Sequence, residues 1–227
     1  MNLNVLKIGG SLAVHPKKLK ELCTALSKFS EKHLIILVPG GGEFADTVRT
    51  LDSRFFLSSE TTHRMAILGM DQYGLLLSNL IVNSSAVDSL VAAKKVLALG
   101  KMPILLPSNL LVQDNALEKS WEVTSDAIAV HIAHLLSASR VILVSDVDGI
   151  FSDDPKKNTN AELIKKINPQ DLLALKKRTS VDIIMPKLLL EGQLDCFVVN
   201  GLFPERVEAI LAGRETICTR ISNIISA

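Results

Sequence analysis

Two periodicities alternate along this chain. Residues 3–8 and 34–38 are short, nearly continuous apolar runs, the pattern of strands covered on both faces. Stretches with apolar positions at helical spacing follow them. Leu19, Leu22, Leu26 and Phe29 come after the breaker Pro16, and a helix over about 43–51 follows the second run. Further helices are predicted over about 61–82 and over 91–99, the latter ending at Gly100, with strands over 103–106 and 140–145. Thr124-Ser125-Asp126 closes a turn over 121–125 and reads as a polar cap before Ile128, Ile132 and Leu135. Strand–helix alternation over the first two-thirds predicts an α/β fold: a three-layer α/β/α sandwich with a mostly parallel central sheet. The last third changes texture. A polar loop at 146–160 precedes a short element at 162–167, helices at 169–177 and 186–192, and a strand at 195–199. A helix at 204–211 then opens on Pro204 and is stopped by Gly213. With no repeat or interdomain linker, residues 1–227 read as one domain with two lobes, about 1–140 and about 141–227.

Composition narrows the function classes. Hydrophobic residues make up 48% and charged ones 22% of 227 residues, which is globular and not disordered. A net charge of +1 gives no reason to expect a nucleic-acid or acidic-membrane partner. The apolar stretch 65–82 contains Asp71 and Gln72 and reads as a buried helix, not a membrane span. Cys23, Cys196 and Cys218 are odd in number and scattered, which fits reduced thiols and not a disulfide framework or zinc site. With an opening segment that lacks a signal-peptide layout, the expectation is a cytoplasmic protein.

Five of the twelve glycines sit in two turns, Lys7-Ile8-Gly9-Gly10-Ser11 and Val38-Pro39-Gly40-Gly41-Gly42, each after a strand and before a helical stretch. Glycine lets backbone N–H groups approach an anion closely, and a helix start adds the positive end of its dipole. Ordinary strand-to-helix turns are the plain alternative. Lys7 beside the first turn and the triple glycine in the second favour a polyphosphate held from two sides. Phosphoryl transfer asks for positioning and charge neutralisation more than for a covalent nucleophile. Asp126 at a helix start offers a carboxylate to orient a lysine or hold Mg²⁺; the alternative is a plain helix-end charge. The stretch from Ser145 through Asp146, Asp148, Gly149 and Phe151 to Asp154 and Pro155 follows a strand. It reads as an acidic surface turn or as a loop around a nucleoside at a strand's carboxyl end. His131 and His134 share a helix, but no third ligand is spaced to complete a metal site. The basic run Lys176-Lys177-Arg178 reads as a solvated helix end.

The ordered set Lys-x-Gly-Gly-Ser, Pro-Gly-Gly-Gly, Thr-Ser-Asp, Asp-Val-Asp-Gly-Ile and Pro-Lys-Leu resembles the amino acid kinase superfamily over essentially the whole chain. That resemblance implies one α/β/α domain using ATP and Mg²⁺ without a covalent phosphoenzyme. It implies catalytic roles for Lys7, Asp126 and Lys187. Gly9, Gly10, Ser11, Gly40, Gly41 and Gly42 would be the ATP phosphate loops. Ser145, Asp146, Asp148, Gly149, Phe151, Asp154 and Pro155 would bind the nucleoside. The first lobe becomes the acceptor side and the second the nucleotide side. Two departures stand out. Where many members have Gly-Gly-Met before the second lysine, this chain reads Val181-Asp182-Ile183-Ile184-Met185-Pro186-Lys187, and Cys218-Thr219 replaces the usual Gly-Thr in what should be a last strand.

The acceptor must come from the divergent parts. Arg49, His63 and Arg64 offer cationic groups for a phosphate already on the acceptor, or else form a solvated helix face. Asp71 and Tyr73 lie in an otherwise apolar helix and call for partners or a ligand, an amine for Asp71 and a flat ring for Tyr73. Gly-Glu-Phe-Ala-Asp with His-Arg-Met-Ala-Ile-Leu-x-Met-Asp-Gln-Tyr-Gly and Trp-Glu-Val-Thr-Ser-Asp resembles a narrower group, the kinases of methanofuran biosynthesis. These convert [5-(aminomethyl)furan-3-yl]methyl phosphate to its diphosphate. Uridylate kinase and isopentenyl phosphate kinase remain alternatives, as does a non-catalytic nucleotide- or oxyanion-binding protein of the same fold. The family resemblance also implies a homo-oligomer.

Overall fold

A computed structural model describes residues 2–114, 116–153, 155, 157–175, 179–192 and 194–223. The chain opens with β1 (Leu3–Ile8), a 3₁₀ turn (Gly10–Val14), α1 (Pro16–Phe29), β2 (Leu34–Pro39), α2 (Gly42–Phe55) and α3 (Ser59–Leu80). β3 (Ser84–Val87), α4 (Leu90–Ala98), β4 (Met102–Leu105), α5 (Ser108–Gln113) and α6 (Ser125–Leu135) follow. Next come β5 (Arg140–Ser145), β6 (Ile150–Phe151), β7 (Leu163–Ile164), β8 (Lys166–Ile167) and α7 (Pro169–Ala174). The described chain closes with α8 (Met185–Leu190), β9 (Asp195–Asn200), α9 (Pro204–Leu211) and β10 (Thr219–Ile221).

Eight strands form one sheet in the order β3-β4-β2-β1-β5-β9-β10-β8. The first six are mutually parallel; β10 runs antiparallel to β9 and parallel to β8. β6, inside the segment expected to be a loop, and β7, inside the short element expected at 162–167, make a separate antiparallel hairpin. Burial follows the two-residue period of the strands. Val5, Ile36, Val38, Val141, Leu143 and Val198 pack with α6 and α8 in one cluster. Leu6, Ile8, Ile35, Leu37, Ile142, Val144 and Val199 pack with α1 and α9 in the other. Apolar residues on both faces of each strand explain why these runs look continuous in sequence.

Two elements escape the periodicity. β3 is a four-residue, half-buried edge strand of Ser-Ser-Ala-Val, and α5 is six residues long; both are too short to show a period. α2 continues past Leu51 to Phe55 and stops where Phe56 turns left-handed at φ 51°. α7 ends at Ala174, and Lys176, Lys177 and Arg178 lie outside the described residues. Among the described residues no helix is long and apolar enough to cross a membrane. All three cysteines are free, and burial pushes the Cys23 thiol up to about 12.

Candidate active site

Register decides which residues meet. Lys7 pairs with Val38 on one side and Leu143 on the other, so β1, β2 and β5 end at one level and their turns emerge side by side. Gly9 N–H donates to the Val144 carbonyl at 2.7 Å, and Gly40 N–H donates to the Ile8 carbonyl at 2.8 Å. The two glycine turns touch. A Cβ on Gly10 would lie 2.1 Å from the Gly42 Cα, and Gly42 itself sits at φ +54°. No side chain fits at that junction, which leaves the backbone open at the start of α2, a position suited to an anion.

Along β1 the side chains of Val5 and Lys7 share the face turned toward α6. Lys7 Nζ meets Asp126 Oδ1 at 2.7 Å, with only 11% and 9% of the two side chains exposed. Thr124 caps α6, its hydroxyl accepting from Asp126 N–H at 3.4 Å. Asp182, 3% exposed, fastens this helix start to that of α8. Its Oδ2 accepts from Thr124 N–H, Thr124 Oγ1 and Ala127 N–H at 3.1, 2.8 and 3.0 Å. Its Oδ1 accepts from Ile184 N–H and Met185 N–H, at the start of α8, at 3.1 and 2.6 Å. Burial and then the Asp126 charge raise the Asp182 carboxyl above the usual range, while the donors pull the other way.

One cavity of about 390 Å³ opens over this arrangement. Lys7, Gly9, Gly10, Ser11, Gly41, Gly42, Asp126, Ser145 and Asp146 line it, together with Arg49 and His63 from the acceptor set. Gly40 packs under Gly10, since a Cβ there would meet the Gly10 nitrogen at 2.8 Å. His63 lines the cavity, and burial lowers its pKa below the usual histidine value, which works against the cationic form. Arg49 lines the same cavity.

Other expected residues are turned elsewhere. Tyr73 is 1% exposed, packs in the α1 cluster and donates to the Gly9 carbonyl at 3.3 Å; it braces the first glycine turn and presents no ring to a ligand. Asp71, half-buried and raised by burial, accepts from Ser108 N–H at 3.3 Å and anchors α5. Arg64 lines a smaller depression of about 210 Å³ between α3 and α5. Lys187 is exposed on α8 and lines another such depression, on the α7 side of Asp182.

On the nucleoside stretch, Asp148 accepts from Arg206 at 2.6 Å and from Asn200 at 2.9 Å. The Gly149 carbonyl accepts from Ser180, and Phe151 pairs with Leu163 in the hairpin. Thr219 opens β10, the expected last strand, and its hydroxyl accepts from Ile150 N–H at 2.8 Å and donates to the Ile164 carbonyl at 2.6 Å, pinning the hairpin. Pro155 is exposed, and Asp154 lies outside the described residues. His131 pairs with Asp114 at 2.5 Å, and no metal-binding group of three or more ligands occurs among the described residues.

Trp121 lines the cavity without having been expected there, and Asp182, outside the cavity lining, supports it by tying the starts of α6 and α8 together. Asp182 had one sequence signal, a lone charge between Val181 and Ile183. Trp121 had another, being the chain's single tryptophan three residues before the Thr124 cap.

The sequence profile of the amino acid kinase family matches residues 2–200. The chain belongs to that family. It is 38% identical to [5-(aminomethyl)furan-3-yl]methyl phosphate kinase of Methanocaldococcus jannaschii over 222 residues, covering 98% of this chain and 99% of the relative. Uridylate kinase of Pyrococcus abyssi is 24% identical, with 92% and 95% covered. In structure, the chain superposes on uridylate kinase from Archaeoglobus fulgidus with a TM-score of 0.79 at 21% identity, covering 98% of this chain and all of the other. Isopentenyl phosphate kinase of T. acidophilum gives 0.67 at 21% identity, with 96% and 99% covered. These two superpositions establish the amino acid kinase fold, a mostly parallel sheet between helices.

Proposed function

We propose that this protein is an ATP-dependent kinase that phosphorylates [5-(aminomethyl)furan-3-yl]methyl phosphate to its diphosphate in methanofuran biosynthesis. The chemistry rests on one observation: the Lys7 ammonium, oriented by Asp126 at 2.7 Å, borders a cavity that also takes in both glycine turns. An acceptor phosphate oxygen attacks the γ-phosphorus, the bond to the β,γ-bridging oxygen breaks, and ADP leaves with the electron pair. Lys7 stabilises charge on the transferring group, and Asp126 keeps that ammonium from swinging away. The glycine turns and the start of α2 hold phosphate oxygens through backbone N–H groups. Ser145 and Asp146 border the nucleoside end. Asp126 and Asp146 supply hard oxygen donors on the cavity wall that would hold a Mg²⁺ accompanying the nucleotide, which would neutralise phosphate charge.

The acceptor assignment is supported by the relative from Methanocaldococcus jannaschii, which aligns with this chain almost end to end. A panel of [5-(aminomethyl)furan-3-yl]methyl phosphate, UMP and isopentenyl phosphate with Mg-ATP tests it. Formation of ADP and a furanylmethyl diphosphate is the expected result. Turnover confined to UMP or isopentenyl phosphate reassigns the acceptor, and no turnover with any of them leaves a nucleotide-binding protein. A homo-oligomer belongs to the same reading. Leu68, Leu75 and Leu76 leave an apolar stripe on α3 for a second copy, and sedimentation velocity checks it.

A further inference from the structure

We infer that Trp121 is the acceptor-recognising wall of the cavity, a fixed aromatic platform that selects a phosphate ester carrying a flat unsaturated ring. Among the described residues lining the cavity, Trp121 is the only Phe, Tyr or Trp. Its indole is held in place by two contacts from one helix. Nε1 donates to Asp52 Oδ2 at 3.0 Å, and the Arg49 guanidinium lies 4.8 Å from the ring centroid. Arg49 is itself tied to Asp46 at 2.5 Å, so Asp46, Arg49 and Asp52 form a row along α2 at three-residue spacing. An aromatic side chain fixed in this way loses little freedom when a ring stacks on it.

Its place along α2 matches the length of a small phosphate ester. Gly42, at the glycine-turn end of the helix, and Arg49, beneath the indole, are seven residues apart, about 10 Å at 1.5 Å per residue. A phosphate near the turn therefore leaves the attached ring within reach of Trp121. The sequence-level candidate for this task, Tyr73, is buried under the first glycine turn.

The inference rests on the kinase reading above but not on the furan as acceptor, and the experiment separates the two. Because Trp121 is the only tryptophan, the intrinsic emission of the intact protein reports on it alone. Titrated without ATP, [5-(aminomethyl)furan-3-yl]methyl phosphate or UMP is expected to quench or shift that emission, and isopentenyl phosphate is not. Trp121→Leu is expected to raise KM for the ring-bearing acceptor about tenfold, with kcat within about threefold and KM for ATP unchanged. Trp121→Phe, which keeps a ring, should raise KM by a clearly smaller factor and guards against a leucine variant that misfolds. Emission unchanged by every ring-bearing phosphate overturns the inference, as does equal KM for wild type and both variants. Quenching and turnover with UMP alone overturn the furan assignment while supporting the role of Trp121.

Discussion

Lys7 and Asp126 form a nearly buried ion pair whose two halves lie far apart in sequence and meet through the β1–α6 packing. Removing one partner of such a pair leaves the other uncompensated, so the Lys7 variants carry both a catalytic and a structural cost. Lys7→Ala is expected to lower kcat by about 10²–10³, with a smaller change in KM for ATP, as steady-state kinetics on folded protein will show. Lys187→Ala should cost far less in the same assay, because that side chain is exposed on α8 and lines a different depression. Asp71→Asn should leave KM for the acceptor unchanged and shift only the melting temperature, since its carboxylate is spent on the start of α5. The helix itself explains this reassignment. His63, Ile67 and Met70 keep to the cavity at spacings of four and three, whereas Tyr73 lies ten residues and about 15 Å beyond His63, past the cavity.

Two carboxylates act on whole elements. Asp182 gathers donors from the starts of α6 and α8, and both helices pack on the same face of the sheet. Asp182→Ala is expected to cost about 3 kcal/mol in urea unfolding, because several buried donors lose their acceptor at once; Asp182→Asn should recover part of it. Asp114 pairs with His131 of α6 and so pins the loop that carries Trp121. The hydrogen bond from His131 holds the Asp114 carboxyl below its usual value. A depressed carboxylate adds stability above its unfolded-state pKa of about 4 and loses it as pH falls through the lower folded value. Asp114→Ala should therefore cost about 1 kcal/mol at pH 7 and progressively less as the pH falls below the unfolded-state value of about 4, a trend that denaturation across that range will reveal.

At the scale of the molecule, residues before and after position 140 share one sheet, and the cavity draws on both. A ligand spanning them should stabilise the chain as a unit. A non-hydrolysable ATP analogue at about one hundred times its Kd should add about 2.7 kcal/mol, raising Tm by about 5–10 °C; no shift in a melting assay would argue against nucleotide binding. The alternation of buried strands and amphipathic helices was legible in the sequence because both periods are local, recorded within a few residues of each other. So were the glycine turns, the lysine beside the first of them and the Thr124 cap, which are recognisable from their immediate neighbours, although the pairing of Lys7 with Asp126 is not. β3 and α5 were not, being shorter than the window in which a period shows. Nor was strand order, which depends on how crossovers pack and not on any one segment. Sequence alone thus determined most of the elements, the family, and the glycine turns and Lys7 that border the cavity. Tertiary structure alone decided which of the acceptor candidates line the cavity, because that depends on how far along α3 Asp71 and Tyr73 lie and on what α2 places opposite Trp121. That is a long-range packing fact with no local trace in the chain.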